Sequence, residues 1–361
     1  MTQRLFPEPD NGTAAADSAD CAASACPTAS PATPGRRRFI EISGAAVAAG
    51  TLGLSTPAAA RMAEVHWRGV VLGARATLRL VHPNRPRAQH ILAAALAEIE
   101  RLEQIFSIYR PTSALSRLNR DGELVSPPAD LLRLLSLTQR ISRVSGDAFD
   151  PTIQPLWRLY ADHQVGRPAG RRGGPARAAI ARVRALVNWR NMAIAPDRIA
   201  FLKPDMAVTL NGIAQGYIGD QVSALLKRMG LRHALVNLGE ISALGRHPEG
   251  RGWAVGIAMP DDQKKTVHRL ALSNAAVATS GQSGGDGQAN PRFGHILDPR
   301  TGMPARLHQS VSVVASSAAV ADGLSTAAFL LSDTQIITLA APFQVNQIHR
   351  IDLAGAIRRL V

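Results

Sequence analysis

Between Trp67 and Phe106 the spacing of the apolar residues changes, and that change limits what the chain can build. From Trp67 to Val81 the residues Val70, Val71, Leu72, Leu78 and Leu80 alternate loosely with polar ones, as in a strand or hairpin. From Gln89 the period lengthens, and Ile91, Leu92, Ala95, Leu96, Ile99, Leu102 and Phe106 fall on one helical stripe. A strand-period segment that feeds an amphipathic helix calls for a sheet with a helix packed on it. The same mixture continues downstream. The pattern predicts a helix over 130–144, stopped at Gly146, and two short strands over 187–203 before a turn at Pro204-Asp205. A further helix carries Tyr217, Ile218, Val222, Leu225 and Leu226 and ends at Met229-Gly230. Strands follow at 234–240, 253–259 and 276–281, then a helix at 334–339 and a hairpin at 348–360 bent at Gly355. The elements show no internal repeat and no regular βαβ alternation, so the class is α+β, with mixed sheets and packed helices.

Residues able to do chemistry concentrate in three stretches. The first runs from Phe293 to Thr326 and holds His295, Asp298, Arg300, Asp322 and Thr326. Asp298-Pro299-Arg300-Thr301-Gly302 is a tight turn, since proline fixes φ and glycine admits the left-handed region. Asp322 and Thr326 stand four apart on a predicted helix and so share a face. A carboxylate beside a hydroxyl suits a hard cation that takes oxygen ligands; it equally suits a surface helix, with His295 in an ordinary core. In the second stretch a short strand at 207–210 enters Asn211-Gly212 and then a helix, baring backbone N–H groups where a phosphate can sit. A plain turn has the same pattern. The third, Gly146-Asp147-Ala148-Phe149-Asp150-Pro151-Thr152, places two carboxylates in a turn. They serve either acid–base chemistry or hydrogen bonds to their own backbone.

Residues 1–35 are rich in Ala, Pro, Asp and Ser and lack a periodic apolar face, the composition of a disordered segment. Arg36-Arg37-Arg38-Phe39-Ile40 then precedes a mild apolar run, 42–54, and the small residues Pro57-Ala58-Ala59-Ala60. Basic, apolar and small segments in that order form an export signal, and paired arginines before Phe39 point to the twin-arginine route and the periplasm. The apolar run is too short for a membrane span, so the expected division is a signal region, 1–60, and one domain, 61–361. Both cysteines, Cys21 and Cys26, fall in the signal region, which excludes thiol catalysis and thiolate-bound metal from the exported chain. Removing 1–60 takes four basic and five acidic residues from totals of 41 and 27, so the charge goes from +14 to about +15. Such basicity favours anionic partners. Nucleic acid is the weaker choice, because aromatic residues make up only 4% and no zinc-finger spacing or basic heptad helix is present. Part of the charge sits at 167–184 among Gly, Pro and Ala, a segment expected to be a solvated surface loop.

These landmarks, taken in order, resemble the ApbE-type FAD:protein FMN transferases. The resemblance rests on Phe106-Ser107, Ser116-Arg117-Leu118-Asn119, the 146–152 turn, Gly212 to Tyr217, Thr279-Ser280-Gly281, His295-Ile296-Leu297-Asp298-Pro299-Arg300-Thr301-Gly302, and Asp322 with Thr326. The stretches 210–217 and 238–241 look most like the NosX branch, associated with nitrous-oxide reductase maturation. The resemblance implies Mg²⁺-dependent transfer of FMN from FAD to a serine or threonine of a target protein, with release of AMP. The implied target is a membrane-anchored regulator with a periplasmic flavin-binding domain, while the transferase itself is not an integral membrane protein. It implies metal ligation by the Gly212 carbonyl, Asp322 and Thr326. FAD would contact Ala148, Phe149, Asp150, Thr209, Gln215, Thr279, Ser280, His295 and Leu297. A base is needed for the incoming hydroxyl, and His295 is the first candidate and Asp298 the second. The family usually has aspartate where Thr209 stands, often lysine where Gln215 stands, and Met-Gly-Thr where this chain has Leu72-Gly73-Ala74. Those replacements open the alternative of a non-catalytic FAD-binding or flavin-delivery protein of the same fold.

Overall fold

The computed structural model describes residues 62–164, 174–262, 264–282 and 296–361, all within one compact unit, Ser55–Val361. The signal region, both cysteines, the 60/61 boundary and His295 lie outside the described residues. The chain opens with the hairpin β1 (Ala63–Val71) and β2 (Ala74–His82), then α1 (Arg85–Phe106). The Asn84 side chain accepts the Arg87 N–H at 2.8 Å to start α1, whose stripe from Ile91 to Phe106 is buried. Next come α2 (Ala114–Asp121), β3 (Glu123–Val125), α3 (Ala129–Val144), α4 (Gln154–Gln164) and α5 (Arg177–Arg184). They are followed by β4 (Met192–Ile194), β5 (Arg198–Phe201), α6 (Ala214–Arg228), β6 (His233–Asn237) and β7 (Ile241–Leu244). Then follow β8 (Trp253–Ala258), β9 (Thr266–Leu272), β10 (Ala275–Gly281), β11 (Leu297–Asp298), β12 (Met303–Pro304) and β13 (Ser310–Ala315). The chain closes with α7 (Ala318–Ala328), α8 (Asp333–Ala340), β14 (Val345–Ile351) and β15 (Ile357–Arg359).

Eight strands form one antiparallel sheet in the order β1-β2-β6-β7-β10-β13-β14-β15. Strand period decides which face each residue serves. Leu78, Leu80, Val236, Ala278 and Val313 enter the main core with α1, α3, α6 and α7. Their neighbours Val81, Val277 and Val314 point the other way, into a second cluster beneath the β8–β9 ribbon with Trp253, Val255 and Leu270. Because both faces are covered there, all six residues of β13 are buried. The polar/apolar alternation that marks a half-buried strand is therefore absent from β13. A smaller sheet, β3-β5-β4, sits apart, and β11–β12 brackets the turn at 299–302. The mixed helices and sheets bear out the α+β class.

Two expectations need correcting. The 167–184 segment is not loop throughout: its end is α5, whose Ile180 is buried against Leu156, Tyr160 and Leu297. Its beginning, 167–173, lies outside the described residues. Nor do residues 207–210 form a strand. Instead of a neighbouring strand, the Asn119 side chain pairs with this segment, donating to the Val208 carbonyl at 2.7 Å and accepting the Val208 N–H at 2.6 Å. The Thr209 N–H donates to the Pro151 carbonyl at 2.8 Å.

Candidate active site

The site begins where α6 crosses α7. Gly216 faces the first turn of α7 so closely that a Cβ there would fall 2.6 Å from the Ala318 carbonyl carbon and 2.8 Å from the Ala319 nitrogen. Asp220, one turn further along α6, holds the start of α7. It accepts the Ser317 hydroxyl at 2.6 Å and the Ala318 and Ala319 N–H groups at 2.7 and 3.0 Å. A carboxylate at a helix N-terminus also opposes the positive end of the dipole, although burial pushes the Asp220 carboxyl upward.

This crossing carries the paired residues of α7 to the glycine turn. Asp322 is buried and accepts the Gly216 N–H at 3.1 Å. The Thr326 hydroxyl points at the Gly212 carbonyl, 3.5 Å away, and lies 3.3 Å from the Ser280 hydroxyl. Ser280 is in turn 2.9 Å from the Ser325 hydroxyl. A Cβ at position 212 would come within 3.0 Å of the Thr326 oxygen, so this cradle admits glycine with little room to spare. Across from Asp322, Glu240 accepts the Thr279 N–H at 3.2 Å. Burial pushes Asp322 up to about 7, with Asp220 adding and the Gly216 N–H opposing. Burial, with the Asp322 charge, pushes Glu240 well up too. Burial and mutual repulsion favour the protonated forms of these two carboxyls, and a cation bound there would have to displace those protons while relieving the repulsion. Among the described residues no cluster of three or more His, Cys, Asp or Glu side chains forms a metal site. The donors on offer are instead one carboxylate, one hydroxyl and one backbone carbonyl, all hard oxygens of the kind magnesium takes.

Around this oxygen cluster opens a cavity of about 710 Å³, a size ordinary for a cofactor pocket. Of the residues expected from the sequence, Thr209, Gln215, Thr279, Ser280, Leu297, Gly212, Asp322 and Thr326 line it. Gln215 lies against Gly239, whose φ of +109° and lack of a side chain leave space for the amide. His295 is outside the described residues, but its neighbour Ile296 is on the wall.

Ala148, Phe149, Asp150 and Asp298 are absent from the lining. Ala148 and Phe149 are buried in the main core. Asp150 is buried and accepts the Thr152 N–H and hydroxyl at 2.8 and 2.6 Å and the Trp189 N–H at 3.0 Å. It is the self-bonding turn residue, and burial raises its carboxyl. Asp298 is held by its own turn: it accepts the Arg300 N–H and Nε at 2.9 Å each, and Arg300 Nη2 at 2.8 Å. With both oxygens engaged by Arg300, this carboxylate stands as a turn clamp and not as a base facing the cavity. Arg75, Ile153, Trp157, Asn237 and Glu240 also line the cavity and were not expected there from the sequence, whereas Asn211 belongs to the turn that was. A glycine turn at 238–240 marked Glu240, but nothing local marked Trp157 or Arg75.

Among the described residues no helix is long and apolar enough to cross a membrane. The ApbE family model matches residues 72–349. A Haemophilus influenzae protein named FAD:protein FMN transferase is 29% identical over 246 residues, 65% of this chain and 70% of the relative. A Klebsiella pneumoniae protein of the same name is 26% identical over 291 residues, 77% and 81% of the two chains. The solved flavin transferase ApbE from Vibrio cholerae superposes with a TM-score of 0.71 at 25% identity, covering 82% of this chain and 96% of that one. With the family model spanning most of its length and its fold matching a solved member, the chain belongs to the ApbE family.

Proposed function

We propose that this chain is an FAD:protein FMN transferase. It moves FMN from FAD to a serine or threonine hydroxyl of a partner protein and releases AMP. The observation that carries this reading is the meeting of the Gly212 carbonyl with Asp322 and Thr326 on one cavity wall. Relatives named for this activity support it. In the reaction the target oxygen bonds to the FMN phosphorus, the bond from that phosphorus to the AMP phosphate oxygen breaks, and the hydroxyl proton passes to a base. Mg²⁺ held by Gly212, Asp322 and Thr326 would neutralise charge on the bridging phosphates. Ser280 offers its hydroxyl to the phosphate region and Gln215, in the first turn of α6, lines the same wall, whereas the Ala214 and Gly216 N–H groups donate to the Leu210 carbonyl and to Asp322. His295, next in sequence to the wall residue Ile296, is the base we assign, because Asp298 is bound to Arg300. Ala148, Phe149 and Asp150 act on FAD indirectly, through the turn that supports 209.

The finer reading follows the sequence. We infer from Arg36-Arg37 export to the periplasm by the twin-arginine route, and the NosX-like stretches support a role in nitrous-oxide reductase maturation. Its target is then the periplasmic flavin-binding domain of a membrane-anchored regulator. The test is incubation of the mature chain with FAD, Mg²⁺ and that domain, followed by in-gel flavin fluorescence of the denatured target. Covalent fluorescence that vanishes in Asp322→Ala is the expected result. Undiminished flavin delivery by Asp322→Ala would instead identify a binding and delivery protein.

A further inference from the structure

The tryptophans differ in how their rings are used. Trp189 has the guanidinium groups of Arg143 and Arg190 over its ring, and Trp253 meets Arg79 and the His247 ring. Trp67 closes over Gly69, where a Cβ would touch the indole. Among the described residues no ring or cation stacks on Trp67 or Trp157, and of the two only Trp157 lines the cavity. Trp157 remains 36% exposed. Ile153 stands four residues earlier, in the 3-10 turn leading into α4, and lines the same wall. Ile153 also packs against the cluster that contains Leu297, which lines the cavity too. The cavity thus has an apolar wall of Ile153, Trp157 and Leu297 in addition to its oxygen cluster at Gly212, Ser280, Asp322 and Thr326.

An unpartnered indole on an apolar wall suits a planar heteroaromatic ring, which buries both faces of the contact and gains stacking energy. We propose that Trp157 is the stacking platform for one of the two ring systems of the dinucleotide, isoalloxazine or adenine. This rests on the flavin reading above and assigns a role to α4: the 146–152 turn, buried from Ala148 onward, launches the element that presents the platform. A flavin or purine that stacks there is oriented with its phosphates directed away from the apolar wall.

The test measures binding of FAD, FMN and AMP, each with Mg²⁺, to the full chain and to Trp157→Leu and Trp157→Phe by titration calorimetry. Trp157→Leu should weaken FAD binding about tenfold and Trp157→Phe by no more than about threefold, as expected for loss and retention of one stacked ring. The same loss should appear with FMN if isoalloxazine covers the indole, or with AMP if adenine does. Equal FAD affinity in wild type and Trp157→Leu overturns the platform and leaves the flavin reading standing. So does an equal loss in the Leu and Phe variants, or a loss seen with neither FMN nor AMP. No FAD binding by the wild-type chain overturns both. Because the ring is partly exposed, both variants should unfold within about 2 °C of wild type, which separates lost binding from lost folding.

Discussion

Replacing Gly216 by alanine tests the contact on which the site's geometry depends. The added methyl would lie 2.6 Å from the Ala318 carbonyl carbon, closer still to its oxygen, and 2.8 Å from the Ala319 nitrogen. Ordinary contact begins at 3.4 Å, so α6 and α7 must separate by roughly 1 Å. The atoms met are backbone, and no flexible side chain can turn away. Overpacking of this kind costs about 3 kcal/mol, which outweighs the ~1 kcal/mol that alanine gains over glycine in a helix interior. Gly219 supplies the control. It lies three residues along the same helix, and a Cβ there meets only the Ala318 Cβ at 3.9 Å. Gly219→Ala should therefore be neutral or stabilising by up to ~1 kcal/mol. At roughly 2 °C per kcal/mol for a chain of this size, thermal unfolding followed by circular dichroism should fall by about 4 °C or more in Gly216→Ala. In Gly219→Ala it should hold or rise. Magnesium titration of the same proteins should show weaker binding only in Gly216→Ala, since moving α7 moves Asp322 and Thr326 away from Gly212. A Gly216→Ala protein as stable as Gly219→Ala would refute the close crossing.

Asn119→Ala should destabilise by about 2 kcal/mol, because it strands the Val208 N–H and carbonyl that the amide now pairs. FAD affinity should drop with it, as the 207–212 segment loosens, and chemical denaturation with parallel flavin titration checks both. Stability should also depend on pH through His349. Burial, with His268 4.5 Å away and Arg359, holds its pKa below the usual histidine value. The unfolded chain then binds the proton more readily, so the stabilisation is present above about pH 6.5 and is lost as pH falls toward the folded pKa. Unfolding midpoints between pH 8 and pH 5 should decline less steeply in His349→Gln than in wild type; identical slopes would remove His349 as the cause.

What short-range pattern can encode was legible in the chain. The change of period between β2 and α1 follows from residues a few positions apart, as does the placing of Asp322 and Thr326 on one face of α7. The Asp298–Gly302 turn is equally local, and its carboxylate's commitment to Arg300 two residues on arises there. β13 escaped because a strand covered on both faces carries no alternation. The 207–210 segment reads as a short strand from its apolar residues, yet its partner is a side chain 89 residues away. Tertiary structure alone decided which groups meet. Thr326 faces Gly212 across 114 residues because a glycine lets α6 and α7 approach to backbone contact. Trp157, Ile153 and Arg75 reach the cavity because α4 and β2 pass its rim. Periodicity tells which face of an element is apolar; which two elements share a cavity depends on steric fit between residues far apart in the chain.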